Sequence, residues 1–562
     1  MKIVELKPNR LLIKANFDGY KVSLEPIPIA RTELTGSLGP DRVRPSHNQY
    51  SYLHATLYGL HNHLVRDPWS SGSCYYVDEA WNVRRVQYEE GSGKVKPLSS
   101  VLKLGKPRPR VDGDYNCSLL FISEKLALVA DGQGGLRLVD TGDRRRGDEW
   151  KALYMFPAID ELKAGFVLMD GRLEVINEEI QIHVVCLSIE ENKGKFRTVL
   201  HWLKIIQQES PEEWNHDSTH VMKSEGFPSY CYLEPKCGAL VVVSDKSVKF
   251  VQDSQEPVVQ EAGVSLEKKH DDAVPEKCLF SWTQSPEDIT IKVPKEENVE
   301  YKITNAERKL KVFRDAALII DGDALFGGID GDLTTWTNES SELQVTLLKQ
   351  PSGTIWPFLF PGSPEESGDR PAADLPPAPN LTSQLEECDF ASSSQDTEYT
   401  IERLDVKKFS TSHKVCLGST APLFNATLKT GLPPALAMRL DVDACLWLQN
   451  PGENWNFRHE GTLHAFAYVL ASKQQRKFVS CSPDLTYAII CESDRHVFIY
   501  KAHFNSASGL RNRKGAQISI GEQRLIRLEG AGEVLGISCE NDYCILLTEM
   551  RLMVIQMCTE EE

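Results

Sequence analysis

Short runs of Val, Ile, Leu, Tyr and Phe recur along the chain between Gly, Asp, Asn and Pro, and helical periodicity is nearly absent. That pattern predicts strands joined by turns. Four stretches share one layout. Phe121-Ile-Ser-Glu-Lys-Leu-Ala-Leu-Val-Ala leads through Asp131-Gly to Leu136-Arg-Leu-Val. Tyr232 to Val243 leads through Ser244-Asp-Lys to Val248-Lys-Phe-Val. Ser480 to Cys491 leads through Ser493-Asp-Arg to Val497-Phe-Ile-Tyr. Ser538 to Leu547 leads through Thr548-Glu-Met to Leu552-Met-Val-Ile. Each reads as a polar turn, an apolar strand, a tight turn and a second strand, the hairpin that a propeller blade repeats. Tyr487 and Cys544 are 57 residues apart, and Leu126 and Ala239 are 113 apart, close to two such steps. Weaker candidates at Cys74-Tyr-Tyr-Val, His183-Val-Val-Cys-Leu and Ala444-Cys-Leu-Trp-Leu fall near the remaining gaps. The expectation is an all-β chain whose first and last thirds form one seven-bladed β-propeller closed by its terminal strands. A pair of β-sandwiches or two separate β domains is the alternative.

The repeat is interrupted. Asp253–Lys277 holds seven acidic and three Lys residues, and Pro361–Pro379 holds six prolines. Neither can bury enough apolar area to offset chain entropy, so both are expected to be linkers. Leu381–Phe390 is a candidate short helix. Between the linkers, Ile289, Ile291 and Val293 alternate with polar residues, as do Val299, Tyr301 and Ile303, then Leu310 and Val312, then Leu343, Val345 and Leu347. Strict alternation predicts half-buried antiparallel strands in a small β-sandwich. The expected organisation is a propeller segment at 1–252, an acidic linker at 253–277, the sandwich at 278–360, a Pro-rich linker with the short helix at 361–399, and a second propeller segment at 400–562.

The chain has 562 residues, 63 Lys+Arg against 80 Asp+Glu, and a formal charge of −17. That balance argues against direct nucleic-acid binding, which needs a basic face, and against an anionic membrane surface. The start of the chain has no apolar core of a signal peptide. The 14 Cys are scattered with no C-x-x-C pair, as expected of small buried hydrophobes in a reducing compartment. Cytoplasm and nucleus are therefore the expected locations.

Within the central block, Phe280-Ser-Trp282-Thr-Gln284, Lys309-Leu-Lys-Val, Leu325-Phe-Gly-Gly-Ile329, Thr334-Thr-Trp336, Leu343-Gln-Val-Thr-Leu-Leu-Lys349 and Trp356-Pro-Phe-Leu occur in that order. The order and spacing resemble the CS domain of NudC-type proteins, which are similar to the co-chaperone p23. Two departures are Thr334, where Ser is common, and the Gly327-Gly-Ile-Asp-Gly-Asp loop. The resemblance implies a p23-like sandwich with no catalytic activity. It implies that the chain binds protein clients, β-propeller proteins among them, beside an Hsp90-type chaperone. The chain is accordingly expected to be a monomeric, non-enzymatic adaptor without cofactors. A structural scaffold of a nuclear or trafficking assembly, binding through the propeller face, is the alternative.

Trp282, Gln284, Trp336 and Trp356 are the candidate partner-binding residues, since aromatics are enriched at binding hot spots. Core packing competes for Trp282, Trp336 and Trp356, and a turn-capping role competes for Gln284. His61-Asn-His63 would set two imidazoles on one side of a strand, but no third metal ligand follows at a convincing spacing. Asp321-Gly-Asp323 and Asp330-Gly-Asp332 miss the calcium-loop spacing and are expected to be turns between strands. Gly91-Ser-Gly-Lys94 lacks the first glycine and the hydroxyl residue of a phosphate loop. Arg144-Arg-Arg146, Lys106-Pro-Arg-Pro-Arg110 and Arg511-Asn-Arg-Lys514 are expected to be solvated loop charge, with nuclear import as the other reading. No catalytic or metal-binding set stands out.

Overall fold

The computed structural model describes residues 1–255, 280–360, 398–502 and 518–557, apart from short gaps within those stretches. The expected linkers fall almost wholly outside the described residues, and the short helix at Leu381–Phe390 and the basic run at Arg511–Lys514 fall outside them entirely. The chain divides into two compact units, one of Met1–Glu261 with Glu387–Glu562 and one of Ala262–Glu386.

Among the described residues, the larger unit contains seven sheets of four or five strands. In chain order their first strands are Val65–Arg66, Ser118–Phe121, Val167–Ile176, Tyr230–Leu233, Phe424–Ala426, Arg476–Cys481 and Val534–Cys539. Each later strand runs antiparallel to the one before it, as short turns require. The middle strands are continuous apolar runs because both of their faces are covered. In Ala239–Ser244, Leu240 and Val242 face the third sheet, whereas Val241 and Val243 face the fifth. In Ser73–Val77, Tyr75 and Val77 pack on the second sheet while Cys74 and Tyr76 pack on the seventh. Seven apolar clusters follow this rule, each joining one sheet to the next, and the last returns from the seventh to the first. The sheets therefore form a closed ring, the β-propeller fold.

Both ends of the chain build this ring. Ile29–Glu33 pairs with Arg551–Gln556 and completes the seventh sheet, so terminal strands close the circle as expected. The N-terminal segment does more than the repeat predicts. Lys2–Ile3 adds in parallel to Ser410–Gly418 on the fourth sheet, and Phe17–Val22 adds in parallel to Ser519–Arg527 on the sixth. Between them the backbone N–H of Asn9 donates to His459 Nδ1 on the fifth sheet at 3.1 Å. The first 33 residues thus cover the outer edge of four successive sheets.

One expected hairpin is not formed. Ala239–Ser244 does not pair with Lys249–Asp253. The latter crosses to the outer edge of the third sheet, beside Trp214–Ser224, and the place next to Ala239–Ser244 is taken by Tyr399–Asp405. The smaller unit is inserted at this strand change. A second correction concerns Arg144. It is 3% exposed, its guanidinium is bound to Asp67 at 2.8 Å, and it lies over the Phe121 ring. A charge read as solvated is a buried pair that ties the second sheet to the first. Arg66 and Glu540 do the same between the first and seventh sheets, with two hydrogen bonds of 2.5 and 2.6 Å.

The smaller unit has a four-stranded sheet, in spatial order Ser281–Gln284, Asp288–Pro294, Glu342–Gln350 and Gly328–Asn338. Opposite it lie Tyr301–Ala306, Lys309–Arg314 and Ala317–Gly322. The alternating residues Ile289, Ile291, Val293, Leu310, Val312, Leu343, Val345 and Leu347 of both sheets meet in one core, which makes the expected sandwich. Asp330 is not in a turn between strands. It sits inside Gly328–Asn338 at a bulge, where it accepts from the Leu333 N–H at 3.2 Å and from the Gln350 amide at 3.1 Å.

Candidate functional site

Trp282, Ile291, Val345 and Trp336 lie opposite one another on four neighbouring strands, so they form one row across the sheet. The first three are buried, at 1%, 0% and 0% exposure, while Trp336 is 56% exposed. Both tryptophans sit on outer strands of the sheet, Ser281–Gln284 and Gly328–Asn338, but Trp282 packs into the core of the sandwich and Trp336 does not. Leu333, in the bulge of the same strand, is 57% exposed. The sandwich therefore presents an indole and a leucine along one strand edge. Core packing, which competed as a reading for Trp336, holds for Trp282 and Trp356 and not for Trp336.

Gln284 and Trp356 are brought together from opposite ends of the unit. The Gln284 amide donates to the Trp356 carbonyl and its oxygen accepts from the Trp356 N–H, both at 2.8 Å. The side chain acts as a ladder partner for the Trp356 backbone. Its oxygen also accepts from the Lys349 ammonium at 2.8 Å, and that ammonium donates to the Ser285 carbonyl at 2.7 Å. Lys349 is only 4% exposed, and its charge stands 5.8 Å from the centre of the Trp356 ring. Gly327 packs under the same indole, where an added Cβ would meet a ring carbon at 2.7 Å. The departure at Gly327 thus has a role, because it lets Trp356 lie flat on the loop. The meeting of Gln284 with Trp356 has no local signal in the sequence, since 72 residues separate them.

In the larger unit, His61 and His63 stand on one side of the chain as their spacing requires, with ring centres 4.6 Å apart. No group of three or more His, Cys, Asp or Glu placed to hold a metal occurs among the described residues. The described arginines of the basic Lys106–Arg110 stretch are spent on structure. Arg110 binds Asp41 at 2.5 Å and stacks on Trp81, and Arg108 binds Asp114 at 2.6 Å. Cys186, Cys491 and Cys544 are fully buried, and burial raises each thiol's pKa, which suits inert packing. No described helix is long and apolar enough to cross a membrane.

Residues 278–349 match the CS domain family. The chain is 29% identical over 600 residues to NudC domain-containing protein 1 of Mus musculus, covering 99% of each. It is 27% identical over 594 residues to NudC domain-containing protein 1 of Xenopus tropicalis, covering 98% of each. Among solved structures, Chaetomium thermophilum Sqt1, bound to the N-terminus of the ribosomal protein L10, is 11% identical, with 88% of this chain and 95% of that chain covered and a TM-score of 0.32. That likeness is too distant to add to the fold read from strand pairing. The protein carries a CS domain at residues 278–349 and is similar, along nearly its whole length, to NudC domain-containing protein 1.

Proposed function

We propose that the chain is a non-enzymatic, co-chaperone-like adaptor that binds other proteins and helps to stabilise them. In this reading its clients include β-propeller proteins, it works beside an Hsp90-type chaperone in the cytoplasm and nucleus, and it is a monomer. The CS domain and the near full-length likeness to NudC domain-containing protein 1 support the class of function. The observation that carries the contact is Trp336, more than half exposed on a strand edge of the CS domain while the rest of its row is buried. An exposed edge with an apolar side chain suits the docking of an extended client segment. The ring, taken as seven-bladed, supplies a second rigid surface, and two surfaces on one chain let each contact be weak.

The test is light scattering from a purified β-propeller protein held near its unfolding temperature. The full chain is added with and without purified Hsp90. Scattering should fall with the chain present, and Trp336→Ala should remove most of that effect while the variant's own melting curve stays unchanged. Equal scattering with and without the chain would end the proposal. The scaffold reading makes the opposite forecast, that deleting residues 278–360 leaves every partner of the chain in place.

A further inference from the structure

The first strands of all seven sheets contribute to the wall of one cavity of about 670 Å3. This is the size of a site for a small ligand or a few side chains. Most of the wall is apolar, with Leu119, Val167, Phe424 and Phe478 among its residues. At one end the Thr430 hydroxyl donates to the Pro68 carbonyl at 3.1 Å. That bond joins the fifth sheet to the first, which are not neighbours in the ring, so the chain crosses the axis there. The other end, where the first strands begin, holds His61, His63, Arg476 and Lys477.

These groups are held in place. The Asn62 amide donates to the Ile537 carbonyl at 2.9 Å, and its oxygen accepts from the Ile537 N–H at 3.1 Å, which fixes the residues on either side. His61 bonds the Cys117 carbonyl at 3.2 Å, leaving little freedom to its ring. His63 is 9% exposed, and no described residue hydrogen-bonds its ring. Its ring lines the cavity with nitrogens that are not sealed from it, so a group entering the cavity can meet them.

The charge at this end is positive. Lys477 donates to Glu533 at 2.8 Å, Arg42 bridges Glu533 and Glu549 at 2.6 and 2.7 Å, and Arg44 reaches Glu549 at 3.4 Å. With Arg476, and with Asp494 and Arg495 beside it, cations outnumber carboxylates here on a chain of net charge −17. Asp41 also lines the cavity, but Arg110 neutralises it. The Lys477 cation and the edge-to-face packing of the two rings disfavour a metal ion here. An anion with apolar surroundings fits better: its charge meets Lys477 and the His63 N–H while its neighbours meet Leu60 and Phe227.

We infer that this end of the ring receives an acidic segment of a partner protein, one carboxylate of which accepts hydrogen bonds from His63 and Lys477. The inference rests on the reading of the ring as a second protein-binding surface, and it names the chemistry of what binds there. Carboxylate and phosphate share that chemistry, and the test separates them.

The experiment is fluorescence anisotropy with the full chain and a fluorescein-labelled peptide of alternating Glu and Leu. A Gln and Leu peptide is the control and inorganic phosphate the competitor. The Glu peptide should bind at least tenfold more tightly than the Gln peptide, and its affinity should fall as salt is raised. His63→Leu and Lys477→Met should each weaken it about tenfold, which is ~1.4 kcal/mol, while His63→Gln, which keeps a donor, should recover much of the loss. Arg44→Glu, at an exposed rim position that does not bear on folding, should weaken it severalfold. Equal binding of the two peptides, or no binding of either, would overturn the inference. So would indifference to His63→Leu and Arg44→Glu in variants that melt normally. Full displacement by millimolar phosphate would assign the site to a free anion instead. Client protection that survives these variants but not Trp336→Ala would sink this inference alone, and the reverse pattern would sink only the CS-edge contact.

Discussion

His61, His63 and His183 are imidazoles folded into the ring in the neutral form. Burial holds His61 down to about 4, with the Lys477 cation adding to it. Burial and Lys204 hold His183 at about 4. His63 is lowered further by burial, by His61 and by Lys477. In the unfolded chain each returns to about 6.5. Below that value the unfolded chain binds protons that the folded chain does not, so stability is retained above pH 6.5 and lost as the pH falls toward 4. Asp170 works the other way. Burial raises its carboxyl to about 6, so its cost grows as the pH rises through that value. Burial raises Glu402 as well but lowers His54, His220 and His459 too, so the imidazoles outweigh the carboxyls and the unfolding midpoint of the ring should drop between pH 7 and pH 5. Thermal melts at half-unit steps check this, and His61→Gln should flatten the drop. Spacing alone made the side-by-side placement of His61 and His63 legible. Their burial was not, because the residues around them, Cys117 and Lys477 among them, come from other sheets.

The CS domain shows what an element contributes beyond its period. Alternation located its strands and its core, and Ile289, Val293, Leu310 and Leu347 all fall inside. Alternation says which face a residue is on and nothing about which strand ends up at the edge. Trp282 and Trp336 read alike in sequence and both end up on outer strands, yet only Trp282 is packed into the core. The Gln284 clamp is the second feature that only packing could reveal. Gln284→Ala would strip two bonds from the Trp356 backbone and leave the Lys349 ammonium short of an acceptor in a buried place. Losses of this kind cost about 1–3 kcal/mol or more when a charge is involved, so the unit should lose ~3 kcal/mol. Gly327→Ala should cost about 1–3 kcal/mol by pushing the indole off its seat. Trp336→Ala should stay within ~0.5 kcal/mol, as exposed sites do. Urea titrations followed by tryptophan fluorescence measure all three. Equal losses for Gln284→Ala and Trp336→Ala would contradict the geometry.

At the scale of the molecule, closure is the main device. A ring leaves no interior sheet edge open, and the outer edges of the third, fourth, sixth and seventh sheets are covered by strands borrowed from elsewhere in the chain. The N-terminal segment supplies outer strands to the fourth, sixth and seventh sheets. Removing residues 1–24 would strip the strands Lys2–Ile3 and Phe17–Val22 but leave the closing strand Ile29–Glu33 in place. The ring's unfolding midpoint should fall by about 2–5 °C while the CS domain's own transition stays put, as differential scanning calorimetry can resolve. An unchanged midpoint would mean that the parallel additions contribute nothing to stability.

The chain's own order of residues determined that it is built of β-strands, where the alternating sandwich lies and that the hairpins repeat, because these follow from periods of a few residues. It also carried enough of the CS pattern to place that domain between two halves of a ring. Tertiary structure alone decided that Lys249–Asp253 deserts its neighbour for the previous sheet, that Arg144 is buried and that the first strands of seven sheets enclose a cavity with His63 in its wall. Each of those outcomes depends on partners far away in the chain, and a local pattern records how a segment folds but not what it will touch.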